Sequence, residues 1–188
     1  METWAAIKGR RTVHMYRPDP VEEEILQKIF AAGTWAPSHA NKQPWEFIRI
    51  GPRTREKLIP LLQERLENGP LKRPDLPADR KNMLRRFGEN IGNVPELIAV
   101  VTCPGSNPME DFEFPLAAAA AIQNMALMAY DLGLASIWLS LGLHPRARGI
   151  LGVPEDYKIV GILGLGYPEY TPEAPPRLAL QAKLRQLP

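Results

Sequence analysis

Residues 114–133, FPLAAAAAIQNMALMAYDLG, limit what this chain can fold into more than any other stretch. Between Leu116 and Met128 only Gln123 and Asn124 are polar, and the run of alanines with Met125 and Met128 favours helix strongly. Pro115 suits a first helical turn, and Gly133 supplies the stop. A surface helix carries one apolar stripe, whereas this one is apolar nearly all round, which predicts burial on every side. A membrane span fits poorly, because the run falls short of ~20 residues, is polar at its middle and is closed by Asp131. A chain of 188 residues has difficulty covering such a helix alone, and alanine faces let another helix come close. The expectation is a helix at the centre of a dimer, with the rest of each subunit arranged about it.

Composition narrows the class. One domain over residues 1–188 is expected, large enough to bury ~70% of its unfolded surface. A net charge of +2 gives no case for an extended nucleic-acid surface. Cys103 is the only cysteine, so neither an intramolecular disulfide nor a cysteine-based zinc cluster can be assembled, and no metal site is expected. The start, METWAAIKGRR, lacks the apolar core of a signal peptide, and the expected location is the cytoplasm.

Along the chain, residues 3–8 read as a short helix ended by Gly9. Arg10, Arg11 and Thr12 follow, with His14 two residues on. Two forked guanidinium groups beside a hydroxyl suit phosphate recognition, and a solvated basic turn is the alternative reading of the same residues. Pro20 is expected to open a helix running to about Thr34, with Glu22, Glu23 and Glu24 in its first turn. The loop that follows, WAPSHANKQPW, is dense in side chains able to pair amide or ring edges: Ser38, His39, Asn41 and Gln43. Strands are expected at 46–50, 97–102 and 157–163, an amphipathic helix at 55–66 and a short helix at 145–151. Residues 64–93 carry seven Arg/Lys against five Asp/Glu. They read as a mobile connection with a short helix near 80–87, either a solvated excursion or a substrate lid. From Tyr167 the proline-rich chain is expected to extend along the surface or across a partner.

These motifs, in this order, resemble the FMN-dependent nitroreductase family. Arg10-Arg11-Thr12 is followed by Ala36-Pro37-Ser38, Asn41 and Gln43-Pro44-Trp45 leading into a strand. The apolar helix resembles the family's dimer-core helix, and Gly133-Leu134-Ala135-Ser136-Ile137-Trp138 the strand after it. Gly152-Val153-Pro154 and the segment from Ile159 to Pro168 resemble the last core strand, with Pro176-Arg177 beyond. The resemblance covers nearly the whole chain apart from residues ~65–93.

The resemblance implies an α+β fold: a mixed, mainly antiparallel sheet of four or five strands flanked by helices, in an intertwined homodimer with two FMN sites. It implies Arg10, Thr12 and Arg177 at the cofactor phosphate, with Arg11 or His14 reaching the flavin's polar edge. Pro37, Ser38, His39, Asn41 and Gln43 would come from the other subunit, where Asn41 and Gln43 can each donate and accept. His39 would either touch the flavin or cap its own loop. Trp138, Leu139, Ser140 and Leu141 would pack beside the ring and offer backbone N–H groups. The implied activity is ping-pong hydride transfer from NAD(P)H through FMN to a nitroaromatic, quinone or similar small acceptor, with the chemistry carried by FMN rather than a catalytic side chain. No glycine-rich fingerprint for a separate nicotinamide site is present. Alternatives on the same scaffold are a dehalogenase or dehydrogenase, or an FMN-binding protein without turnover. The acceptor and the choice between NADH and NADPH are left open.

Overall fold

The computed structural model describes residues 2–187, less the side chains of Gly142 and Leu143. Six α-helices and four strands run along it: α1 (Thr3–Gly9), α2 (Glu23–Thr34), β1 (Trp45–Arg49), α3 (Pro52–Asn68), α4 (Ala78–Asn90), β2 (Glu96–Thr102), α5 (Pro108–Asp131), β3 (Ala135–Leu139), α6 (Ala147–Leu151) and β4 (Lys158–Gly166). The strands form one sheet in the order β1-β2-β4-β3, every neighbouring pair antiparallel. A parallel bridge between Thr12 and Ser136 continues it past β3, which makes the sheet mixed in the sense expected. This is the α+β architecture implied by the motifs.

Strand β2 explains why the sheet is central. From Leu97 to Thr102 every residue is buried, because helices cover both faces. Leu97 and Ala99 point to a core shared with Leu58, Leu62, Phe87 and Ile91 of the α3–α4 side. Ile98 and Val100 point to the opposite core, with Leu26 and Ile29 of α2 and Ala118, Ile122 and Met125 of α5. Truncating Ile122, which is fully enclosed there, to alanine would cost about 2–5 kcal/mol.

The central helix is longer than its apolar run. It begins at Pro108, where the Asn107 side chain accepts from the backbone N–H groups of Met109 and Glu110. Pro115 therefore lies inside the helix rather than in its first turn. Its missing N–H would leave the Asp111 carbonyl without a donor. Lys158 Nζ donates to that carbonyl at 2.7 Å, which lets the helix run through the proline. Burial on every side is not what one chain achieves, since Met109, Phe112 and Leu116 are 50%, 70% and 55% exposed. The helix is long and apolar enough to cross a bilayer by length and composition, yet its other face packs into the sheet.

Three further expectations need correction. Helix α2 starts at Glu23, not Pro20, because residues before it are held elsewhere: Arg17 N–H donates to the Tyr167 carbonyl, and Tyr167 OH donates to Glu22. Helix α3 extends the expected 55–66 helix at both ends. Residues 64–93 are not chiefly a connection. They contain the end of α3 and all of α4, and Phe87 and Ile91 sit in the core. Among the described residues the proline-rich end carries one bridge, at Pro168, and one turn, Leu180–Ala182.

Candidate active site

The segment from Arg10 to Arg17 is built by alternation. Val13 and Met15 are buried, which turns Thr12 and His14 to the opposite side. The segment lies along the free edge of β3, where Val13 N–H donates to the Ser136 carbonyl at 3.2 Å. On its other side it meets the chain leaving β4, with Tyr16 bridged to Pro168 and Glu169 N–H donating to the Met15 carbonyl at 3.1 Å. The two ends of the molecule are thereby brought together. Between them lies a cavity of ≈ 690 Å³ whose walls include Arg10, Arg11, Thr12, His14 and Arg177.

Cations outnumber carboxylates on the walls of this cavity, where Arg10, Arg11, Arg80 and Arg177 face Asp79 and Glu173. Burial, then the charges of Arg11 and Arg177, press the Arg10 pKa below its ordinary value. Among the described residues, the guanidinium groups of Arg10 and Arg177 have no hydrogen-bond or ion-pair partner, and the Nε atoms of Arg10 and Arg11 are buried unpaired. Arg11 Nη1 donates to the carbonyls of Lys8 and Arg10 at 2.5 and 2.8 Å, which ties it to the end of α1. Like charges and orphaned donors gathered at one place cost stability unless a ligand supplies the acceptors. A phosphate monoester fits that requirement: it is dianionic and presents several acceptor oxygens to forked donors. Burial, and then the charge of Arg80, hold the His14 pKa below its ordinary value.

Residues 37–43 are not in this cavity. Their loop turns tightly through His39–Asn41, with positive φ at Ala40, Asn41 and Gln43, and Gln43 N–H donates to Ser38 Oγ at 3.0 Å. It is pinned to the first turns of α5, where His39 Nδ1 lies 3.3 Å from Glu113 and Lys42 Nζ 3.7 Å from the buried Glu110. Pro37, His39, Asn41 and Gln43 are exposed. One chain therefore displays the amide side chains outward and does not bring them to its own arginines.

The stretch after α5 divides by side. Leu139 and Leu141 are core residues packed with Leu58, Ile91 and Ile162, so only their backbone can face a ligand. Ser140 is exposed, and Trp138 on the other face of β3 is 43% exposed. The indole lies over Gly161, where a Cβ would come within 2.1 Å of Trp138 Nε1. The sheet bulges at this point, between Val100 and Val101 of β2 opposite β4.

The cavity also has walls that the motifs miss. Asp79, Arg80 and Met83 come from α4, and Tyr170, Pro172, Glu173 and Pro175 from the tail. A helical repeat in Arg80, Met83, Phe87 and Ile91 is the signal that could have found the first group. The tail offers no periodic signal.

The nitroreductase family model matches residues 7–167. YdjA of Escherichia coli K12, named by inference an NAD(P)H nitroreductase, is 30% identical over 87% of this chain and 86% of its own. A 5,6-dimethylbenzimidazole synthase of Rhodospirillum rubrum is 26% identical, covering 87% of this chain and 81% of its own. The crystal structure of a nitroreductase with bound FMN from Bacteroides fragilis superposes with a TM-score of 0.72 at 25% identity, covering all of both chains.

Proposed function

The chain belongs to the nitroreductase family, and from that premise we propose that it is an FMN-dependent oxidoreductase, one domain over residues 1–188, working as a homodimer. When bound, FMN would supply the redox chemistry, carrying hydride from NADH or NADPH to a nitroaromatic, quinone or similar small acceptor in a ping-pong cycle. The observation that carries this reading is the cavity in which Arg10, Arg11, Thr12 and Arg177 converge, with the Nε donors of Arg10 and Arg11 buried and unpaired.

Arg10, Thr12 and Arg177 would hold the cofactor phosphate, and Arg11 or His14 the flavin's polar edge. Neutral His14 can both donate and accept there. The backbone from Trp138 to Leu141, fixed by the buried Leu139 and Leu141, would line one side of the ring without side-chain motion. Asn41 and Gln43 would be lent by a second copy, which accounts for amide side chains displayed outward on a pinned loop. That copy would also cover Phe112 and Leu116. No side chain need act as acid, because nitro and quinone acceptors can take protons from solvent.

The test is anaerobic. Protein purified with bound FMN should lose its yellow colour on adding NADH or NADPH and regain it with an acceptor. A chain that binds FMN and stays yellow would be a binding protein rather than an enzyme. A chain that binds no FMN would overturn the reading.

A further inference from the structure

We propose that Arg80 of α4 is a phosphate-recognition residue of this cavity, contributed by the segment between α3 and β2. The proposal rests on the reading above and adds a residue the shared motifs do not contain. Arg80, Met83 and Phe87 are spaced to share one face of α4. Phe87 is buried, and its ring meets that of His14 edge-on at a centroid distance of 5.2 Å. That contact sets the face of α4 against the segment carrying Arg10 and Thr12, and Arg80 and Met83 line the same cavity as Arg177.

Arg80 is exposed and, among the described residues, has no hydrogen-bond or ion-pair partner for its guanidinium. Its neighbour Asp79 also lines the cavity without an ion pair to it. It lies close enough to the 10–14 segment for its charge to help hold His14 neutral. A planar fork on the wall of a cavity that also carries the Arg10 and Arg177 guanidinium groups suits a dianionic phosphate monoester. Two molecules could bring that group: FMN itself, or NADPH through its 2′-phosphate.

The experiment compares Arg80→Gln and Arg80→Lys with the unaltered chain. Glutamine is a good helix former at an exposed position, so folding is preserved. Affinities for FMN and riboflavin are read by flavin fluorescence, and KM values are measured for NADPH and NADH. If the flavin phosphate is the ligand, Arg80→Gln weakens FMN binding about tenfold to a hundredfold. Riboflavin binding is then unchanged, and Arg80→Lys recovers part of the loss. If NADPH is the source, FMN affinity holds while KM for NADPH rises about tenfold relative to NADH. Unchanged FMN affinity with an unchanged NADPH-to-NADH ratio overturns the proposal, as does an equal loss for FMN and riboflavin. Failure of the flavin reading would show separately, as an unaltered chain that binds neither flavin. Inorganic phosphate then serves as the probe in thermal melts. Stabilisation lost in Arg80→Gln supports the assignment, and stabilisation retained or absent in both overturns it.

Discussion

Substituting Gly161 by alanine probes the packing at the edge of the proposed flavin site. The added Cβ would lie 2.1 Å from Trp138 Nε1 and 2.8 Å from its Cδ1, whereas ordinary contact begins at 3.4 Å, so the indole must retreat by about 1.3 Å. Overpacking of this kind costs about 1–3 kcal/mol. The lower half of that range applies, because a half-exposed indole can swing outward. Removing a glycine also narrows the unfolded ensemble, which returns about 0.4–1 kcal/mol. The expected net loss is therefore about 1 kcal/mol for Gly161→Ala alone. In a Trp138→Ala background the clash is gone, and the same substitution should be neutral or slightly stabilising. Urea unfolding of the four proteins of this cycle measures the coupling directly. Trp138 is among the residues proposed to pack beside the ring, so displacing its indole with Gly161→Ala should also weaken FMN binding. Additive stability effects of the two substitutions would refute the described packing of Trp138 over Gly161.

Other consequences are open to simpler assays. Arg177→Ala removes a charge-assisted contact to phosphate worth about 1.5–3 kcal/mol, so FMN affinity should fall about tenfold to a hundredfold in a fluorescence titration. The variant apoprotein should not lose stability, because one repulsion on Arg10 is relieved. His14 has its folded pKa lowered from 6.5 by burial first and Arg80 second, so below that pH the unfolded chain binds a proton the native state refuses. Stability should therefore fall as pH drops through that value, and His14→Gln apoprotein should lose less between about pH 7 and about pH 5 in chemical denaturation. Light scattering should report a dimer, and Leu116→Glu, which sets a charge on the exposed apolar face of α5, should shift it toward monomer.

Much of this arrangement is legible from residue patterns, and the gaps have physical causes. The unbroken apolar run of β2 announces a strand covered on both faces, and the alanine helix announces itself by composition. The start of α5 is hidden because proline is read as a boundary, while the donor that rescues the Asp111 carbonyl is Lys158, far along the chain. Helix α4 is legible only as the short helix near 80–87, because charges hide its ends and only Phe87 of its length is fully enclosed. Arg10, Thr12 and His14 are recognisable as a group, since a local alternation places them. Arg177 meets them only because the tail folds back past β4 through the bridge at Pro168. Arg80 requires knowing which face of α4 the His14 ring selects. Leu139 and Leu141 mark the opposite limit, because a motif locates the backbone without saying that both side chains face the core.

The claim that the flavin site is shared between two chains has a direct test in subunit complementation. An Arg10→Ala chain damages its own phosphate contact, and an Asn41→Ala chain damages what it lends its partner. Homodimers of either variant carry a lesion in every site. In a mixed dimer one site carries both lesions and the other carries neither. After subunit exchange, confirmed by mass spectrometry of differently tagged chains, each heterodimer should regain about half of the unaltered NAD(P)H oxidation activity, as one of its two shared sites is intact. Activity that stays at the average of the two homodimers would contradict the shared site and return residues 37–43 to the chain that carries them.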